Sequence, residues 1–582
     1  MEEAIILTEP TEFSDAARLD RAIAFFGVTT RHMTLAEFLA AVASGDGAPK
    51  FRVFSKGSTF LELLAALGKG GEGPGFWQKH IHSVFVYASG DFSALEKVAA
   101  TIAGQECVLA ETDPAAEWQV TDDFPEFCKS MSGVRVKVTA NVSEKGFGLD
   151  KAKANTVSLI ATERHSSFVQ FTYQGVPIFV STAASIVDVH DRLAGPDFDI
   201  RQYFLSAAPL VLYIQWAFIK SCWQAPEAAA CLVIDDPLLQ PRYGFLKFQH
   251  LLDLMRRHNF ATSIAFIPWN WRRNNAKVVQ LFKENPERLS LSIHGCDHTG
   301  GEFGGIHGGR LAWKSRESLA RMRRHQSLTG LPHDTVMVFP QGVFSAQAME
   351  VLKRSAFIGA VNTEVFSTDP DPPPITIADF WQPAVLNYSD FPIFTRRYAS
   401  AGVENFAFDI LLGKPCLVVA HHNDCYDDCR HIGEFMQRLN QLKVSLRWMS
   451  LAAAVRRSFR QREISPGVVE IEMYGSEVRI ENPSGPKTTF RFRKRESEAG
   501  NIKAVHAAGQ PVKWDFSEGG RGLTFEVELN PGESKIVTVT YHDYVAADGF
   551  AGEDLRYKLK VMLRRYLSEA RDNYLRRKLS SN

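Results

Sequence analysis

The stretch ACLVIDDP, residues 230–237, is an apolar run that ends in two adjacent carboxylates and a proline. A short continuous apolar run closed by a turn signal reads as a strand buried on both faces, as in a parallel sheet covered by helices. The same pattern recurs downstream in ATSIAFIPW (261–269), LSLSIH (289–294), TVMVFP (335–340), FIGAVNT (357–363) and PCLVVAHH (415–422). Between them lie amphipathic stretches such as YGFLKFQHLLDLMRRHNF (243–260) and WKSRESLARMRRHQSLTG (313–330), the latter stopping at Gly330. Strand and helix in alternation predict an α/β domain over 226–462, either a parallel sheet covered on both faces or a barrel.

The chemistry-bearing residues of this segment all follow a strand. Asp235 and Asp236 follow CLVI; His294 and His298 follow LSLSI; Pro340-Gln341-Gly342 follow TVMVF; His421 and His422 follow CLVVA. In a parallel α/β domain those positions share one rim, where active sites form. In LSLSIHGCDHTGGEF (289–303) two histidines stand four apart with Gly295 between them, so the Glu of a helical zinc-protease motif is missing. Two imidazoles and one carboxylate from Asp235 or Asp236 still make a three-ligand metal site that leaves room for water. Two carboxylates side by side at a buried strand end are costly without a cation. One can ligate a metal while the other acts as a base. Set against this, Asp-Asp-Pro is also good turn chemistry, and paired histidines on a loop are common in a chain with 17 of them. His421 or His422 could supply an acid to a leaving group. Trp269 and Trp271, in IPWNWRR, suit either stacking on a sugar face or a core lid, and Arg272 or Arg273 could hold an acidic group.

The order of these motifs resembles the polysaccharide deacetylases of the NodB-homology group, carbohydrate esterase family 4. Val233-Ile234-Asp235-Asp236-Pro237 stands where the family has T-F-D-D-G, and His294-Gly295-Cys296-Asp297-His298 matches H-[ST]-x-x-H. Val338-Phe339-Pro340-Gln341-Gly342 corresponds to R-x-P-[YF]-G, and Leu417-Val418-Val419-Ala420-His421 to the closing hydrophobic-x-Leu-x-His. The resemblance implies a distorted (β/α) barrel of the polysaccharide deacetylase type. It implies Asp235 as general base, Asp236, His294 and His298 as ligands of one divalent transition metal ion, zinc foremost, and His421 as general acid. The backbone N–H of Gln341 would join the oxyanion hole, with Trp269, Trp271, Arg272, Pro340 and His422 as candidate substrate contacts. The chain departs from the family at Pro237, at Val338 in place of the motif arginine, and at Gln341. Arg242 could substitute for that arginine, and Trp381 could stand in the unclear fourth motif.

The flanks carry no such motif. Residues 1–200 mix strand and helix patterns, as an α/β domain of unread role, with a hairpin expected at Gln174-Gly175. SAAPLVLYIQWAFI (206–219) is too short to span a membrane and reads as a buried connecting helix over 201–225. Residues 466–545 turn all-β and predict a small sandwich. Residues 551–582 form a basic amphipathic helix whose stripe is Leu555, Leu559, Met562, Leu563, Tyr566, Leu567, Ala570 and Tyr574. It reads as a helix docking by that stripe with a solvated basic face, or else as attachment to an anionic membrane or an acidic partner.

With 582 residues, 23% charged and a formal net charge of +0, nothing pulls the chain toward nucleic acid. MEEAIILTEP shows no leader pattern, and the eight cysteines are scattered, so a cytoplasmic setting is expected, peripheral to the inner membrane if the last helix binds lipid. The function expected is a metal-dependent hydrolase that deacetylates an N-acetylated sugar or polysaccharide precursor. Two alternatives stand beside it: a carbohydrate-binding or assembly protein on the same scaffold, and a two-His-one-carboxylate iron oxygenase, which the strand–helix alternation opposes.

Overall fold

The structure is a computed structural model that describes residues 2–8, 14–44, 50–69, 75–139, 144–148, 155–483, 485–517 and 522–575. It divides into two compact units, one running to Asp191 and including Asp199–Trp223, the other made of Arg192–Phe198 and everything from Gln224 on.

The first unit is built on one mixed sheet of eleven strands. Glu3–Leu7, Thr29–Met33, Phe51–Lys56 and Ile81–Tyr87 run parallel. The sheet continues through Val176–Ser181 into the antiparallel Ser166–Tyr173 and Thr156–Ala161. The hairpin turns at Gln174 and Gly175, both at positive φ (47° and 78°), the geometry that right-twisted strands require of a two-residue loop. The apolar stretch after residue 200 is the helix Ile200–Ala217. Tyr213 and Trp216 pack among Phe85, Phe127 and Phe179 of the same unit, so it is a core helix of the first unit rather than a connector.

In the second unit the central sheet has nine parallel strands, eight in one ladder: β1 (Ala228–Asp235), β2 (Thr262–Phe266), β3 (Leu289–His294), β4 (Val336–Val338), β5 (Gly359–Asn362), β6 (Ile393–Thr395), β7 (Arg397–Tyr398) and β8 (Cys416–His421), with Leu446–Trp448 paired off that path to the start of β1. The hydrogen-bonded order is β6-β5-β4-β3-β2-β1-β8-β7. β6 and β7 are separated by one residue, Arg396, so one continuous segment forms both ends of the ladder. β6 pairs with β5 and β7 with β8, and the sheet curls into a nearly closed (β/α) barrel. Val233, Val336, Val338, Val361 and Phe394 share its apolar core, each such burial stabilising by roughly 1.5–3 kcal/mol.

The covering helices follow their sequence pattern. Phe248–His258 buries Phe248, Leu251, Leu252 and Met255, spaced i, i+3, i+4 and i+7, and is stopped by Asn259 in the left-handed region. Gly308–Thr329 ends at Gly330 in the same conformation. Further on, Arg460–Ser465, Val468–Met473, Thr488–Lys494, Gly522–Leu529 and Trp514–Ser517 form one sheet, and Glu477–Asn482, Glu533–Tyr541, Ile502–Ala507 and Gln510–Val512 another. Ile471, Phe492, Val478 and Val537 lie in the shared core of those strands.

The last helix, Leu555–Ala570, begins at Asp554, whose carboxylate accepts the backbone N–H of Tyr557 at 2.7 Å. Its docking reverses the expectation. Leu555 is 72% exposed and Leu563 60%, while Val561 is 1% and Arg565 9%. The side chain of Tyr574 lies outside the described residues. The helix packs by its polar side because polar partners are waiting there, as described below. No described helix is long and apolar enough to cross a membrane. Cys425 and Cys429 are disulfide-bonded, and the six other cysteines are buried and form no disulfide.

Candidate metal centre

The strand ends of the barrel bring Asp235, Asp236, His294 and His421 to one rim. Residues adjacent in a strand point to opposite faces. Asp235 is the last residue of β1 and keeps strand geometry, whereas Asp236 turns to a φ of 81°. That turn lets both carboxylates stay on the rim, and Asp is one of the few residues that accept positive φ.

Asp235 is buried and gripped by Arg396, whose Nη1 and Nη2 donate to its two oxygens at 2.6 Å each. Burial pushes this carboxyl upward, but the Arg396 guanidinium, with His294 and His421, outweighs it and holds the group below its usual range. His421 stands with Nε2 3.9 Å from Asp235, its ring stacked on Tyr398 and its side chain 36% exposed.

Asp236 has no arginine at contact distance among the described residues, although the buried guanidinium of Arg565 acts on it from the last helix. Its Oδ1 lies 3.4 Å from His294 Nε2 and 3.0 Å from His298 Nε2. The ligand atoms of the three residues all lie within 4.8 Å of one another. That oxygen is buried and receives no well-directed hydrogen bond among the described residues. His294 Nδ1 meets the Val338 carbonyl at 2.9 Å. An Nδ1–H donating there leaves the Nε2 lone pair aimed at a carboxylate oxygen, an arrangement that asks for a cation between them. Two imidazoles and a carboxylate are the donor set of an open divalent transition-metal site, so the residues fit such an ion.

A carboxylate clamp shapes the loop between the histidines. Glu302 accepts the backbone N–H groups of Cys296, Asp297 and His298 at 2.8, 3.0 and 3.0 Å. Gly295, at φ 63°, lies so close to Glu302 and Pro340 that a Cβ there would come within 2.2 Å of Glu302 Oε1 and 2.4 Å of Pro340 Cγ. Only glycine suits both the conformation and the space. Asp297 points away from the triad, taking Lys314 and Arg321 at 2.6 Å each. Burial opposes the charge on Lys314, but Glu302 and Asp297 push its ammonium pKa up.

The last helix packs over this rim. Tyr557 shares a 2.9 Å hydroxyl hydrogen bond with Thr299 and receives one from Lys314 at 2.7 Å. Glu569 takes Arg273. Asp572 accepts from the Tyr243 hydroxyl at 3.1 Å and stands 3.4 Å from His422 Nε2. Arg565 is buried among these anchors, and its Nε has no hydrogen-bond partner among the described residues.

The remaining sequence candidates are placed as follows. His422 is buried and engaged by Asp572, which makes it an anchor of the helix instead of a free substrate contact. Trp269 meets the ring of Tyr566 edge-on at 6.1 Å, so the helix covers it. Trp271 carries Arg272 over its face at 4.4 Å, and no contact links that pair to the triad. Pro340 is buried against Gly295; Gln341 sits at φ 61°, its side chain accepting from the Gly301 N–H at 3.3 Å. Arg242 does not serve Asp235: it donates to the Gly244 carbonyl at 3.0 Å. Trp381 is fully buried, packed with Phe198 and Phe408 away from the rim. The residues that sequence reasoning missed are Arg396, Glu302, Tyr557 and Asp572. Arg396 lies in FPIFTRRY, whose strands are three and two residues long and show no readable period.

No protein-family model matches the chain, and no curated protein matches it. Among solved structures it is similar to the Bc1960 peptidoglycan N-acetylglucosamine deacetylase in complex with a hydroxamate-type benzamide, at 11% identity and TM-score 0.25, covering 40% of this chain and 90% of that one. It is similar to a family 4 acetyl xylan esterase from Clostridium thermocellum in complex with a cobalt ion, at 10% identity and TM-score 0.25, covering 39% and 89%. It is also similar to a cytoplasmic protein from Salmonella typhimurium LT2, at 12% identity and TM-score 0.23, covering 37% and 98%. None of these scores reaches 0.5, so the likeness by itself assigns neither activity nor ligand.

Proposed function

We propose that the second unit is a metal-dependent hydrolase that removes an acetyl group from an N-acetylated sugar or a polysaccharide precursor. The observation that carries this is one juxtaposition: Asp236, His294 and His298 converge within 4.8 Å, next to a separate carboxylate on Asp235 and an imidazole on His421. Asp236, His294 and His298 would hold the ion, zinc by the chemistry of the donor set. When bound, such an ion supplies Lewis acidity and lowers the pKa of water.

The chain's own groups do the rest. Asp235 is ionised at neutral pH and takes a proton from the attacking water. Arg396 holds both oxygens of that carboxylate, fixing its direction, so the arginine absent at Val338 has a replacement from β6–β7. His421, partly exposed and 3.9 Å from Asp235, delivers a proton to the leaving nitrogen. The backbone N–H of Gln341 stands as a candidate donor to the developing oxyanion.

The test is elemental analysis of the purified chain and of a His294→Ala/His298→Ala variant, followed by an acetate-release screen on acetylated sugars with Asp235→Asn as control. About one transition metal per chain, lost in the double variant, together with acetate release lost in Asp235→Asn, supports the reading. No metal uptake from zinc, cobalt or iron sinks it. A second reading, a non-catalytic carbohydrate-binding protein, is favoured by the helix anchored over the rim through His422 and Thr299. Ligand binding that survives Asp235→Asn, without acetate release, would select it.

A further inference from the structure

We propose that the outward face of the helix Leu555–Ala570 is a docking surface for an anionic lipid bilayer. Six large apolar side chains stand on that face: Leu555, Leu559, Met562, Leu563, Tyr566 and Leu567, between 43% and 72% exposed. A soluble helix normally buries such a stripe. Here the opposite face is already committed, through Tyr557, Val561, Arg565, Glu569 and Asp572. The stripe therefore cannot turn inward without breaking those anchors, and it needs an outside partner.

Charge selects the partner. Arg556 and Lys560 flank the stripe on one side and Lys558 on the other, all exposed. They make no ion pair among the described residues. Glu569, the one acidic residue within the helix, is paired with Arg273. The sequence then continues with Arg576, Arg577 and Lys578. An apolar stripe bordered by cations lies flat at a lipid–water boundary, its leucines among the acyl chains and its basic stems reaching the headgroups. Each such cation adds to the attraction of an anionic surface. A second copy of this chain would bring the same cations face to face, so like charge opposes pairing through this helix. The inference is independent of the hydrolase reading, since it uses none of the metal-site residues. If both hold, the helix that covers the rim of the site also faces the membrane.

The experiment is flotation of the full chain with vesicles of phosphatidylcholine containing about one third phosphatidylglycerol, against phosphatidylcholine alone. The variants are Leu559→Asp/Leu563→Asp and Arg556→Gln/Lys558→Gln/Lys560→Gln, whose side chains are exposed and leave the docked face untouched. The chain is expected to float with the anionic vesicles. At least about tenfold of that binding should be lost in the leucine variant, and the glutamine variant should bind both vesicle types equally weakly. Circular dichroism matching the parent confirms that each variant is folded. Failure of the parent to float, or equal flotation of the leucine variant, overturns the proposal. So does a parent dimer in sedimentation that the leucine variant turns into a monomer without any vesicle binding.

Discussion

Asp235 has both carboxylate oxygens held at 2.6 Å by the guanidinium of Arg396, whereas Asp236, one residue on, meets the Nε2 atoms of two histidines, and the nearby guanidinium of Arg565 forms no contact ion pair with it among the described residues. The two side chains leave the same strand end and meet opposite electrostatic solutions. The fold brings its own cation to the first carboxylate. To the second it brings two imidazoles, a donor set that a divalent ion would complete. A buried carboxylate needs a positive partner in either case, so the difference marks where an external cation belongs. It also separates two roles that sequence alone leaves interchangeable, since either aspartate of the pair could have been the ligand.

The largest expected effect comes from removing the internal cation. Arg396→Met leaves Asp235 buried and unpaired, and such a change costs about 3–5 kcal/mol. Urea unfolding measures it. If the comparison is right, Asp235→Asn/Arg396→Met recovers most of the loss, because the charge and its partner leave together. A double variant as unstable as the single one would mean that Arg396 matters by packing alone, and the contrast between the aspartates would fall.

The second test addresses the other aspartate. A cation that binds the folded chain at a hundred times its dissociation constant stabilises it by about 2.7 kcal/mol. Zinc or cobalt should therefore raise the unfolding midpoint of the parent, and His294→Ala/His298→Ala should abolish the rise. The parent without added metal should regain its original midpoint after chelation. Equal stabilisation of parent and variant would place the ion elsewhere on the folded chain.

These contrasts show how far the sequence carries. The strand ends were legible because an apolar run closing on polar residues has one physical reading in a parallel sheet. The histidine loop was legible as a candidate because its residue types are ligands. Arg396 was not legible: Arg396 and Arg397 are adjacent, and only the pleat sends the first to Asp235 and the second to Asp409 and Asp197. Glu302 hid in a glycine-rich loop, where its three backbone partners are set by folded geometry. The last helix was misread for a reason that generalises. Periodicity identifies an apolar stripe but not its partner, and here the polar side found Tyr243, Arg273, Thr299 and Lys314 already arrayed on the barrel rim.

A smaller effect is expected at the clamp. Glu302→Gln keeps the shape and loses the charge, weakening three backbone hydrogen bonds and unbalancing Lys314, which stands 3.5 Å away. A cost of about 1–3 kcal/mol follows. The informative readout is metal affinity, because the loop that carries His298 at φ 56° depends on those bonds. Affinity should fall while the Asp235–Arg396 pair, on a different strand end, is unaffected. If stability falls but affinity does not, the loop conformation is held by Gly295 and Pro340 rather than by the carboxylate.

The smallest structural effect should come with the largest functional one. His421 is near Asp235 without closing on it, at 3.9 Å, and its side chain is partly open to solvent. Its share in holding Asp235 is smaller than that of Arg396 and His294, and the ligand set is complete without it. His421→Ala should therefore change unfolding free energy by less than about 0.5 kcal/mol, the range for surface positions free of buried networks. Metal content should stay at the parental level. Acetate release, if present in the parent, should drop by about 10²–10⁴-fold, the usual contribution of a positioned acid. Stability and catalysis would then separate at one residue. A loss of stability comparable to that of Arg396→Met would instead make the imidazole a structural partner of Asp235, and the proton for the leaving group would have to come from elsewhere on the rim.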